Sequence, residues 1–172
     1  MPAIDLDKIK IRRMKDTDNF QNFHCDIEDD NGCNDFIHRE NEAKQYQKER
    51  HGITYLAFYE ETMIAYITLA MSSISAERLE KKDKEPIKLN FYPCLLIGRL
   101  AVSNEFRHSD IGTQLSEWAT GVAYLNSEKI GCRYVILETK ESKVRFYSQC
   151  GFHRGSVLEG DRHVWMYKKI VI

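Results

Sequence analysis

Proline is scarce in this 172-residue chain, with three residues against nine glycines. That excludes collagen-like and proline-rich extended architectures. Hydrophobic residues make up 42% and charged residues 30%, which excludes disorder. A bilayer helix needs about 20 apolar residues. The longest apolar run, Met63 to Met71, is far shorter. The N-terminal MPAIDLDKIK has no apolar core of a signal peptide, so a cytoplasmic protein is expected. Five cysteines are an odd number without a CxxC pair, which argues against a disulfide framework or a zinc ribbon. Free, mostly buried thiols in a reducing compartment are expected. The six histidines lack HExxH or HxH spacing, so no metal is expected. A GxxxxGK[ST] phosphate loop and a GxSxG nucleophile elbow are missing too.

Net charge is also missing: 25 basic residues face 26 acidic ones, for −1 overall. A strongly basic nucleic-acid binder is therefore not the first expectation. The charge is unevenly spread, however. Residues 129–172 hold nine basic and four acidic side chains, and the rest of the chain is net acidic.

What is present reads as one mixed α/β domain spanning 1–172. Ile9 and Ile11 alternate with Lys10 and Arg12, a strand pattern. Asp16-Thr17-Asp18-Asn19 offers N-cap chemistry for a helix. Asp26, Glu28, Asp29 and Asp30 read as a solvated acidic turn. Asn34 to Arg50 reads as one helix stopped by Gly52. Ile53–Tyr59 and Met63–Ala70 read as a buried hairpin. Ser72 to Asn90 is a polar connection with one helix expected near Ala76–Lys82. Cys94–Val102 is a buried strand. Ile111, Leu115, Trp118, Val122 and Leu125 mark an amphipathic helix. Tyr134–Leu137 is a strand, Ser142–Cys150 a helix closed by Gly151, and Val164–Tyr167 a last strand.

Two segments carry chemistry. The strand ending Leu100-Ala101-Val102 leads into Arg107-His108-Ser109-Asp110-Ile111-Gly112-Thr113 at a helix N-terminus. Backbone N–H groups and the helix dipole there suit a diphosphate. The second segment is Phe146-Tyr147 followed by Gly151-Phe152. Either segment alone reads as ordinary packing.

Together, with one helix and one strand between them, they resemble the GNAT superfamily of acetyl-CoA-dependent N-acetyltransferases. The resemblance rests on the "LAV" strand, on an R-x-x-G-x-G/A loop and on "FYxxxGF". It implies a mixed, mostly antiparallel sheet flanked by helices and splayed between its fourth and fifth strands. Asn34-Asp35-Phe36-Ile37, Ala43, Thr54-Tyr55, Ala65 to Ala70 and Gly98 to Val102 further resemble the toxin-type branch of bacterial toxin–antitoxin pairs. That branch implies the α-amine of aminoacyl-tRNA as acceptor, an antitoxin partner and a homodimer. Small-molecule or protein amines remain alternative acceptors, and a binding or regulatory protein with weak or lost turnover is the competing class.

The implied site follows residue by residue. Leu100, Ala101 and Val102 would pair with the pantetheine amides, and an N–H there would polarise the thioester oxygen. Arg107, His108, Ser109, Asp110, Ile111, Gly112 and Thr113 would hold the diphosphate. Tyr147 would protonate the leaving thiolate. Glu105, His108 and Glu138 are alternative bases, and an aminoacyl ester's amine needs little base. Asp110 and His108 depart from the family, which usually has glycine there. A carboxylate repels a diphosphate, and Ser109 or Asp110 would cap the helix N–H groups the phosphate needs. Two readings follow: coenzyme binding with adjusted geometry, or coenzyme affinity reduced or lost.

Overall fold

The computed structural model of the chain describes residues 4–26, 32–39, 41–83 and 85–172. The expected acidic turn at Glu28, Asp29 and Asp30 lies outside them. The chain divides into two compact units, Met1–Ala70 with Gly98–Leu115, and Met71–Ile97 with Ser116–Ile172. Seven strands are hydrogen-bonded in the order β1-β2-β3-β4-β5-β7-β6.

In the first unit, β1 (Ile9–Arg13) pairs antiparallel with β2 (Ile53–Tyr59), and β2 with the first part of β3 (Thr62–Ser75). The β2–β3 hairpin is the expected one. Glu60 adopts φ 54° at its turn, and the register shifts between Ala57 and Phe58. Apolar residues line both faces, and Leu56, Ala57, Ile64, Ala65, Tyr66 and Ile67 are fully buried. Two short helices supply part of the cover, α1 (Gly32–His38) and α2 (Glu42–Lys48). Phe36, Ile37 and Ala43 pack with Met14, Phe23, Leu56, Tyr66 and Ala101 in one core.

Three expectations fail in this unit. The single helix over Asn34–Arg50 is broken at Asn41, whose φ of 65° is left-handed. Asparagine tolerates that conformation, and no glycine or proline announces the break. Gly52 does not stop the helix either, because Lys48 ends α2 and Arg50 takes the left-handed position at φ 61°. Gly52 serves close packing instead. A Cβ there would lie 2.9 Å from Tyr46 Cε1 and 3.2 Å from Leu69 O. Asp16 to Asn19 caps no helix. Arg12 Nη1 and Nη2 donate to Asp18 at 2.8 and 2.6 Å, and Lys15 N donates to Asp18 Oδ2, closing a turn. The Arg12 bonds hold the Asp18 carboxyl below its usual pKa.

In the second unit, β4 (Phe91–Val102) begins beside β5 (Tyr134–Thr139) in parallel, through Cys94–Leu96 and Tyr134–Ile136. The parallel register stops there, which is where the fourth and fifth strands were expected to splay. β7 (Val164–Lys169) pairs antiparallel with β5 and with the two-residue β6 (His153–Arg154). The core contains Ile74, Leu79, Tyr92, Cys94, Tyr134, Ile136 and Tyr167. Tyr134 sits edge-on to both Tyr92 and Tyr167 at 5.9 Å. Burial pushes the Cys94 thiol up to about 12, as befits an inert core cysteine.

The polar connection forms two 3-10 turns, Ala76–Arg78 and Lys81–Asp83, rather than an α-helix. Its end is fastened by Glu85. The carboxylate accepts from Arg133 Nε at 2.6 Å, Tyr134 OH at 2.7 Å and Lys169 Nζ at 3.1 Å.

The long helix α3 (Ile111–Ile130) is present, but its buried stripe is not the expected one. Ile111, Leu115, Ala119 and Ala123 are buried at four-residue spacing, while Leu125 is 62% exposed. The small alanines admit close approach, which the large apolar residues on the neighbouring face do not. Among the described residues no helix is long and apolar enough to cross a membrane.

Candidate active site

β4 ends in Leu100, Ala101 and Val102. Ala101 is buried in the core of the first unit, and Leu100 and Val102 are half-buried. Ser103 N donates to Ile64 O at 2.8 Å, and Asn104 N to His24 O at 2.8 Å, fixing where the strand gives way to the loop. A 3-10 turn, Asn104–Phe106, follows.

The loop then alternates. Arg107 is extended at φ −63°, ψ 154°, whereas His108 and Asp110 are left-handed at φ 63° and 60°. Histidine and aspartate are among the residues that tolerate this region, at a strain of order 1 kcal/mol each.

Ser109 Oγ donates to Phe106 O, and the exposed Asp110 carboxylate makes no hydrogen bond among the described residues. Ile111, Gly112 and Thr113 form the first turn of α3.

Arg107 ties the loop to the preceding segment. Its Nη2 donates to Cys25 O and Asp26 O, each at 3.0 Å, so one nitrogen fastens the loop to the backbone of residues 25–26. Asn104 Nδ2 reaches the Asp26 carboxylate at 3.1 Å on the same segment. Glu105 and His108 are exposed, and so is Glu138.

Tyr147 lies in α4 (Val144–Gln149) of the second unit and is 7% exposed. Phe146 and Phe152 meet its ring edge-on at 4.9 and 5.9 Å. The helix ends as expected at Gly151, φ 88°. Phe152 N donates to Tyr147 O at 3.0 Å and Gly151 N to Ser148 O at 3.1 Å, a Schellman closure. Phe152 is thereby folded back onto the tyrosine, which is the physical content of the FYxxxGF spacing.

Four of the nine basic residues of 129–172 have oxygen partners within the chain. Arg133 and Lys169 pair with Glu85, Arg154 with Glu141, and Lys168 Nζ donates to Cys150 O. No group of three or more histidine, cysteine or carboxylate side chains among the described residues is arranged around a metal site.

One residue that sequence reasoning assigned no role stands out. Arg99 places its guanidinium 3.8 Å from the centre of the Phe36 ring. The only sequence signal for it is a charge inside an otherwise apolar strand.

A mixed sheet with one short parallel β4–β5 pairing, a strand-to-helix loop after β4 and a tyrosine on the helix after β5 define an acyltransferase-type fold. The acetyltransferase (GNAT) domain model matches residues 50–154, and the chain belongs to that family. Solved structures share the fold over nearly the whole chain. A tyrosine-to-phenylalanine mutant of KacT is 19% identical, with 95% of each chain covered and a TM-score of 0.78. AtaT complexed with acetyl-methionyl-tRNAfMet is 20% identical, with 94% of each covered and a TM-score of 0.77. AtaTR bound with acetyl-CoA is 22% identical, with 95% of each covered and a TM-score of 0.72. Comparison with curated protein sequences gives no match.

Proposed function

We propose that this chain transfers the acetyl group of acetyl-CoA to the α-amine of an aminoacyl-tRNA, as a toxin-type enzyme. The observation that carries the coenzyme half is the loop after β4. Asp110, where the family motif has glycine, adopts the left-handed backbone that glycine favours, and so does His108. This favours retained coenzyme binding over lost binding. Support for the acceptor comes from the fold's likeness to AtaT, solved with acetyl-methionyl-tRNAfMet.

In the proposed reaction the neutral amine attacks the thioester carbonyl carbon, polarised by a backbone N–H of Leu100–Val102. The C–N bond forms, the C–S bond breaks, and the amine nitrogen releases its proton to solvent. Tyr147 gives its phenolic proton to the departing thiolate and is reprotonated from solvent. A thiol's ordinary pKa of about 8.5 against about 10 for tyrosine makes that transfer nearly matched. Arg107, with Ile111, Gly112 and Thr113, would present charge and backbone N–H groups to the diphosphate.

The solved relatives include an AtaT toxin bound to acetyl-CoA and the C-terminus of its antitoxin AtaR. An antitoxin partner, a homodimer and a cytoplasmic setting complete the proposal, with 1–172 as one catalytic domain.

Calorimetry with acetyl-CoA and acetyl transfer to charged tRNA test it. Tyr147→Phe should lower kcat at least about 100-fold while the coenzyme Kd stays within about 2-fold. No coenzyme binding at millimolar concentration would refute it. Equal losses in kcat and affinity would make Tyr147 a packing residue.

A further inference from the structure

Five arginines among the described residues are half-buried: Arg12, Arg78, Arg99, Arg107 and Arg133. Four have oxygen partners in the fold: Asp18, Asp161, the Cys25 and Asp26 carbonyls, and Glu85. Arg99 makes no hydrogen bond or ion pair among the described residues. Its guanidinium instead sits over an aromatic shelf. Phe36, 1% exposed, is 3.8 Å from Arg99 Cζ, and Tyr46 is 5.7 Å away. Phe36 and Tyr46 brace each other edge-to-face at 5.6 Å. Gly52 packs close to Tyr46, where an added Cβ would lie 2.9 Å from its Cε1.

Stacking explains where the guanidinium sits but not what its N–H edge is for. Cation–π attraction acts on the face of the group and leaves five donors unused. A guanidinium with its face pinned and its edge free is pre-organised for a planar pair of oxygens, as in a phosphodiester. Arg99 directly precedes Leu100 of the proposed acetyl-CoA strand. Resting on the acceptor assignment above, we propose that Arg99 binds a backbone phosphate in the single-stranded 3′ end of the RNA acceptor. The Phe36–Tyr46 shelf holds the guanidinium for it. Unstacked RNA ends are recognised by such pre-set arginine planes and aromatic platforms.

The test uses the full-length protein with Arg99→Lys and Arg99→Gln. First, binding of a labelled single-stranded RNA ending in CCA is followed by fluorescence anisotropy over a salt series. Arg99→Gln should weaken it about 10- to 100-fold and reduce the salt slope by about 1. Arg99→Lys should recover the slope but not the affinity, since lysine cannot form the flat fork. Second, with charged tRNA, KM should rise by a similar factor while kcat at saturation and the acetyl-CoA Kd hold within about 3-fold. Unchanged RNA affinity and slope in Arg99→Gln would overturn the inference, as would full rescue by lysine. An equal KM increase with a phosphate-free aminoacyl ester would overturn it too, by pointing to the amine or to folding. Failure of the wild-type protein to acetylate charged tRNA would refute the proposed function instead, and the anisotropy arm would still decide the role of Arg99.

Discussion

Glu85 is the perturbation whose size the structure fixes best. Its side chain is only 7% exposed and accepts bonds from Arg133, Tyr134 and Lys169. Chiefly through the Arg133 bonds, its carboxyl is held at about 2 against an ordinary 4.5. That difference corresponds to about 3 kcal/mol favouring the ionised, folded state. The folded pKa is depressed, so the stabilisation is fully present above about pH 4.5 and is lost as pH falls toward 2. Glu85→Gln should therefore cost about 2–4 kcal/mol at pH 7, because it weakens or breaks charge-assisted and phenolic bonds to three partners of a buried acceptor. For a chain of this size the melting temperature should drop about 5–12 °C. Urea unfolding followed by circular dichroism at pH 7 and at pH 3 measures both arms. The wild type and the variant should converge as pH falls, because protonation removes in one what substitution removed in the other. A pH 7 difference below about 0.5 kcal/mol would show the node to be as weak as an ordinary surface ion pair. A difference that persists unchanged at pH 2 would show that charge is not its basis.

The proposed diphosphate loop gives a paired test: Asp110→Asn keeps a residue that tolerates φ 60° and removes only the charge, so acetyl-CoA should bind about 2- to 5-fold tighter at low salt and about equally at high salt. An affinity insensitive to Asp110→Asn would mean that the carboxylate faces away from the coenzyme. Gly52→Ala should destabilise by about 1–3 kcal/mol in urea, because its Cβ would meet Tyr46 and the fixed Leu69 carbonyl; a neutral result would show that the shelf yields.

The parts of the fold readable from the chain are those with local causes. The β2–β3 hairpin follows from two apolar runs separated by three residues. α3 follows from its three-and-four spacing, and the end of α4 from one glycine at a required left-handed position. The break at Asn41 was not readable, since asparagine has no compulsion to turn there and the break only lets α1 and α2 pack on the same core. The two-residue β6 carries no periodicity at all and exists only because β7 lies beside it. On α3 the pattern of large apolar residues pointed to Leu125, yet Ala119 and Ala123 are buried. Hydrophobicity reports which residues prefer burial, but approach distance decides which of them fit.

The candidate site divides the same way. A strand ending at Leu100–Val102, a loop leading into a helix at Arg107–Thr113 and a helix carrying Tyr147 were readable as local structure because each depends on backbone geometry encoded within a few residues. The left-handed backbone at His108 and Asp110 was not, because tolerated φ is a permission and the surrounding hydrogen bonds choose whether it is used. Nor did the charge count show which cations are available. Scarce proline and near-zero net charge marked a compact protein of unspecified partner. Only the tertiary structure showed that Arg133, Arg154 and Lys169 are committed to carboxylates while Arg99 rests on Phe36 and makes no hydrogen bond or ion pair among the described residues. Period and propensity act along the chain over a turn or two. The partner of a charge is set by which distant segments the fold brings together, as Glu85 and Arg133 show across 48 residues.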